Sequence, residues 1–196
     1  MEDMTPFDVV AFLFLMGMFI LGYVQGLVRR AFGIIALLFS LIVAAQLRDP
    51  LGTYLAHEWT TAPPEYSYMI AFGALFLAFG IALSLGIQFT YHAGSVFPKY
   101  PVVDELLGGV LGVVEGGILI VAFLMITDPY FQSTGGHLVA SGEFGPLRTV
   151  HEFMSDSLTA DALRHSFIAN LVAVLGFMFP QDVVESFTGA IRARFA

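Results

Sequence analysis

The chain reads as an all-α membrane protein: a four-transmembrane-helix bundle followed by a C-terminal amphipathic, interfacial helical tail. Three observations predict this. Apolar residues make up 57% of the 196 residues and charged residues only 12%, with a mean hydropathy of +0.81. Soluble domains carry about 25% charged residues, and a water-soluble fold of this size cannot hide so much apolar surface. Four stretches are long and uncharged enough to cross a hydrocarbon core about 30 Å thick, which takes roughly 20 residues of helix. None alternates with period two, so a membrane β-barrel is not expected.

The first stretch, residues 9–28, holds no charge between Asp8 and Arg29. The preceding residues lack the positive region of a signal peptide, and no small-residue cleavage site follows, so we expect a retained helix. The second stretch, residues 31–47, follows after Arg29-Arg30 alone. That hairpin must turn tightly, with Gly26 and Gly33 relaxing the backbone. Residues 48–65 contain Asp49-Pro50 and Pro63-Pro64 and read as a polar, turn-rich loop. The third stretch, residues 66–91, is uncharged, and Pro98 and Pro101 punctuate the passage to the fourth. The fourth, residues 106–127, carries one charge, Glu115. The expected spans are 7–28, 31–47, 66–91 and 104–127, within a membrane domain of residues 1–128.

Residues 129–196 are expected to form an extracytoplasmic loop and interfacial helices. Gly135-Gly136, Gly142 and Gly145-Pro146 mark the loop. Leu147, Val150, Phe153, Met154, Leu158 and Ala162 then recur at helical spacing, with Arg148, Glu152, Asp156 and Asp161 on other faces. Residues 166–181 are 16 uncharged residues, short for a span and better read as an interfacial or bundle-packed helix.

Lys and Arg in short loops mark the cytoplasmic side. Arg29 and Arg30 lie in the first loop and Lys99 in the third, whereas the second has Arg48 alone. Both ends of the four-span unit, the N-terminus included, therefore face away from the cytoplasm. Arg192 and Arg194 would suit a cytoplasmic end only if residues 166–181 crossed.

Glu115 is the residue that most asks for a reason. A charge at mid-helix costs roughly 3 kcal/mol on insertion scales, and each Leu, Ile, Val or Phe returns roughly 0.4 kcal/mol. A structural role, protonated or hydrogen-bonded inside the bundle, is favoured over a place on a proton or ion path. Gly108, Gly112 and Gly116 step at i, i+4 and i+8, and Gly22 and Gly26 repeat the spacing. Close helix approach explains such stripes, within this chain by preference and between two copies as the alternative. Arg29 and Arg30 read as topology anchors before ligand-binding groups. Asp104 reads as the cap of span four, with a salt bridge to Arg29 or Arg30 as the alternative.

Together these residues resemble the colicin V production protein family (CvpA-like), small bacterial inner-membrane proteins with about four spans. The resemblance rests on Asp8, Gly22, Gly26, Leu27, Val28 and Arg29 or Arg30 around the first turn. It rests also on Asp104, Leu106, Leu107, Gly108, Gly112 and Gly116 in span four. It covers residues 5 to about 127 and the tail more loosely. Gln25, Glu105 and Glu115 depart from it, standing where basic residues are common. The resemblance implies involvement in colicin V production or export and, more broadly, envelope functions.

No catalytic constellation is expected. His57, His92, His137, His151 and His165 form no HExxH pair, and no GxSxG elbow or phosphate-binding loop occurs. The chain has no cysteine, which removes disulfides and Cys-based zinc or redox sites. The formal net charge of −8 with eight Lys and Arg argues against nucleic acid. No cofactor or metal is expected; the expected partners are the bilayer, a membrane or extracytoplasmic protein, or a second copy. The leading reading is a non-enzymatic inner-membrane protein acting through protein contacts. A transporter or channel subunit using Glu115 and an anchor that recruits a partner through residues 129–196 are the alternatives.

Overall fold

The computed structural model describes residues 5–60, 62–90, 101–133, 145–155, 157–179, 181 and 183–185. The expectations placed on Lys99, Pro98, Gly135, Gly136, Gly142, His137, Arg192 and Arg194 lie outside the described residues. Among those described the fold is helical throughout. Four long helices come first: α1 (Pro6–Gln25), α2 (Leu27–Glu58), α3 (Pro64–Thr90) and α4 (Pro101–Ser133). The tail holds α5 (Gly145–Ser155), α6 (Leu158–Ala162), a π-helical turn (Leu163–Ile168), α7 (Ala169–Leu175) and a 3-10 turn (Gly176–Met178).

Among the described residues, five segments are long and apolar enough to cross a membrane: the four long helices and Leu158–Met178. The last differs from expectation because Asp161, Arg164 and His165 fold into the same helical run as the uncharged residues after them. Its 21 residues mean that length does not argue against a crossing.

Helix α4 is the central one, with half of its most apolar stretch buried. It packs against α1 and α2, and α2 packs on α3. Antiparallel pairing of α1 with α4 follows from Gly22 meeting Gly108 while Leu15 meets Gly116. Leu41, Phe72, Val121, Leu124 and Met125 fill the core, and Ile168 and Val183 of the tail join them. The outward face is apolar too: Phe12, Ile20, Val24, Ile35, Leu77 and Phe89 are each more than half exposed. Such a belt is costly in water and neutral among acyl chains, so the fold is that of a membrane protein.

Two helices run through prolines where the sequence suggested an end. A proline inside a helix removes one hydrogen bond and crowds the preceding turn, at about 3 kcal/mol. Beyond Pro50, α2 continues to Glu58 instead of ending near Leu47. Gly52 lies under the Tyr68 ring, and the Thr53 hydroxyl sits 3.1 Å from that of Tyr68. Pairing with α3 thus outweighs the local penalty. Likewise α4 passes Pro129 and reaches Ser133, because Tyr130 and Phe131 are buried against Tyr66 and Met69.

Candidate functional site

The turn between α1 and α2 falls at Gly26, three residues before Arg29. Gly26 adopts φ +79°, a left-handed conformation that disfavours other residues. Arg29 and Arg30 therefore lie in the first turn of α2 and not in a loop. Gly33 sits inside α2 and relaxes no turn; a Cβ there would come within 2.9 Å of a Glu115 carboxylate oxygen, so its bareness makes room for that side chain.

Arg30 donates through Nη1 to Glu115, joining α2 to α4. The two side chains are only 6% and 15% exposed, so each charge depends on the other for its partner. The Nε of Arg30 is buried and has no hydrogen-bond partner among the described residues. Beside the pair opens a cavity of about 290 Å³ to which all four long helices contribute. Its polar wall is Gln25, Arg29, Arg30, Ser84, Gln88 and Glu115. Toward the middle of the bundle lies an apolar groove of about 240 Å³, lined by Leu37, Phe76, Ile81, Leu85 and Leu119 among others, which shares Ser84 with the cavity as a wall.

The same end of the bundle carries the glycine seam. Gly22 lies against the backbone of Gly108, and Gly112 against the carbonyl of Met18. Gly116 receives Leu15 and Met18, and Gly109 receives the ring of Phe19. Any added methyl at Gly22 or Gly112 would meet main-chain atoms, which cannot swing aside as a side chain can. Asp104 stands in the first turn of α4, three residues after its start at Pro101. Its carboxylate lies against Gly26, and Oδ1 is buried without a hydrogen-bond partner among the described residues. Among the described residues, the ion pair at this end joins Arg30 to Glu115. Glu105 takes a hydrogen bond from the Tyr23 hydroxyl.

The opposite end holds a polar cluster that no sequence spacing announced. Asp128, fully buried in α4, accepts from Arg164 Nε at 2.7 Å and Nη2 at 2.9 Å. Its Oδ1 also lies 2.8 Å from Nε2 of His151. One carboxylate thus binds both α5 and the π-helical turn. The His151 ring stacks on Phe131 with centroids 4.6 Å apart, and the Arg148 guanidinium lies over the same ring. Asp8 ties the tail to α1 separately: it completes the capping box with Thr5 and accepts from the backbone N–H and hydroxyl of Thr159. The Thr5-Pro6-Phe7-Asp8 spacing was a readable N-terminal signal. The link to Thr159 was not readable, because it spans 151 residues.

No cluster of three or more His, Asp or Glu placed to hold a metal occurs among the described residues. A sequence model of the family described as colicin V production protein matches residues 7–173, a span that takes in the bundle, α5, α6 and most of α7. Neither a curated protein nor a solved structure matches the chain.

Proposed function

Because the chain belongs to the colicin V production protein family, we propose that it is a non-enzymatic, multi-pass protein of the bacterial inner membrane. In this reading it serves colicin V production or export, or envelope maintenance more broadly, through protein contacts. The observation that carries it is the reach of the family match, which takes in the docked tail as well as the membrane bundle. The tail is the contact surface in this reading. It is joined to α4 through Asp128, while Val150, Phe153, Phe167, Val174 and Phe177 remain exposed.

Four helices cross the bilayer in this proposal, and Leu158–Met178 lies against one end of the bundle. Support comes from where its two ends bind. Thr159 donates to Asp8, and the Met178 carbonyl accepts from Gln46. At 1.5 Å per residue, Asp8 and Gln46 lie about 27 Å and about 30 Å along their helices from the Gly26 turn. Both ends of the segment therefore meet the bundle at the same level, whereas a crossing would separate them by about 30 Å.

The reading is tested in cells that make colicin V and lack the chromosomal copy. Wild-type protein is expected to restore toxin in the medium and to cross-link a partner through residues 145–178. Asp128→Asn frees Arg164 and His151 from their anchor, and both results are expected to fall to background while the protein still inserts. If purified wild-type protein instead passes ions into vesicles and Glu115→Gln abolishes the flux, the channel reading replaces this one.

A further inference from the structure

We propose that the cavity at the Gly26 end is a binding site for an anionic phospholipid, with the headgroup phosphate on Arg29 and Arg30 and one acyl chain in the apolar groove that shares Ser84 with the cavity as a wall. Charge is the first argument. Two guanidinium groups and one carboxylate line the cavity, leaving one positive charge, which a phosphodiester neutralises. Among the described residues Arg29 makes no ion pair, and Arg30 spends one donor on Glu115 while its Nε stays buried without a partner. A guanidinium carries five N–H donors, and a buried donor left unmet is costly. Phosphate is the acceptor that matches the planar fork of an arginine.

Position is the second argument. Helix α1 has 20 residues and covers about 30 Å, so the turn at Gly26 reaches the edge of the hydrocarbon core. Arg29 and Arg30 lie in the first turn of α2, close to that edge, from which an arginine side chain reaches outward to the headgroup layer. Basic pockets between helices at this depth are favoured sites for anionic headgroups.

Shape separates a lipid from a soluble anion. Along α3, Gln88 and Ser84 wall the polar cavity while Ile81 and Leu77 wall the groove. One helix face thus passes from polar to apolar in the direction of the bilayer centre. Ser84 and Gln88 are exposed, so the site opens sideways to lipid. A soluble phosphate fills the first compartment and leaves the second empty.

The site does not depend on which protein partner the chain serves, and its test needs only purified protein. The full chain, in detergent, is given phosphatidylglycerol or phosphatidylcholine of identical acyl chains, and bound lipid is counted by native mass spectrometry. Phosphatidylglycerol is expected to be retained at least about tenfold better, because the choline cation of phosphatidylcholine brings back beside the two arginines the positive charge that its phosphate neutralises. Arg29→Gln is expected to remove most of that preference. Ile81→Trp, which fills the groove from a half-exposed position, is expected to lower retention of both lipids, and Leu85→Trp serves if it does not fold. Equal retention of the two lipids overturns the proposal. So does displacement by glycerol phosphate at equal concentration with no effect of either tryptophan, which would mark a soluble-anion site.

Discussion

At the scale of single residues, the deciding physics is how a charge survives in an apolar setting. Glu115 was conspicuous in the sequence because it is the one charge in residues 106–127. Its partner was not, since Arg30 is 85 residues away and reads in the sequence as a topology anchor first. The pairing emerges only when α2 and α4 lie side by side and Gly33 leaves space for the carboxylate. Asp128 was missed for a related reason. At the end of an apolar run it looks like a boundary, whereas His151 and Arg164 sit on separate tail elements with no common spacing. Removing one member of a buried pair strands the other at about 3–5 kcal/mol. Arg30→Leu and Glu115→Leu are each expected to lower the unfolding free energy by that order, measured by denaturant titration in mixed micelles. The double variant is expected to recover most of the loss, because neither charge is then left alone. Additive losses in the double variant would mean that the two residues act independently.

At the scale of helices, local propensity and tertiary pairing disagree at identifiable places. The apolar stretches and the glycine steps were legible because hydropathy and small-residue spacing are written along one segment. Where α2 and α4 stop was not legible, because Pro50 and Pro129 are ordinary terminators by local chemistry. The α2–α3 contact at Gly52 and Tyr68 and the burial of Tyr130 and Phe131 reverse that outcome. The glycines are also unequal in a way their spacing hides. A Cβ at Gly22 would strike the Gly108 backbone, whereas one at Gly17 finds nothing within 4 Å. Gly22→Ala is therefore expected to destabilise by about 1–3 kcal/mol as α1 and α4 are forced apart. Gly17→Ala is expected to be neutral or to gain up to about 1 kcal/mol through helix propensity. Thermal unfolding in detergent micelles checks the contrast, and equal midpoints for the two variants would detach the seam from stability.

At the scale of the whole molecule, the two ends of the bundle differ in chemistry. The Gly26 end holds Arg29, Arg30 and the polar cavity, and the other end holds Asp8, Asp128 and the docked tail. Under the proposed topology, the positive charge beside the α1–α2 connection puts the Gly26 end on the cytoplasmic side and the tail outside. A crossing by Leu158–Met178 would reverse the C-terminal side alone and would pull Thr159 from Asp8 or Met178 from Gln46. Reporter fusions distinguish these outcomes. A reporter active only outside the cytoplasm is expected to be silent after residues 30 and 98 and active after residues 58 and 140. It is expected to be active after residue 185 as well, since the segment returns to the level from which it started. Silence after residue 185 with activity after residue 140 would require a fifth crossing. Activity after residue 30 would invert the whole bundle and move the proposed lipid site to the outer leaflet.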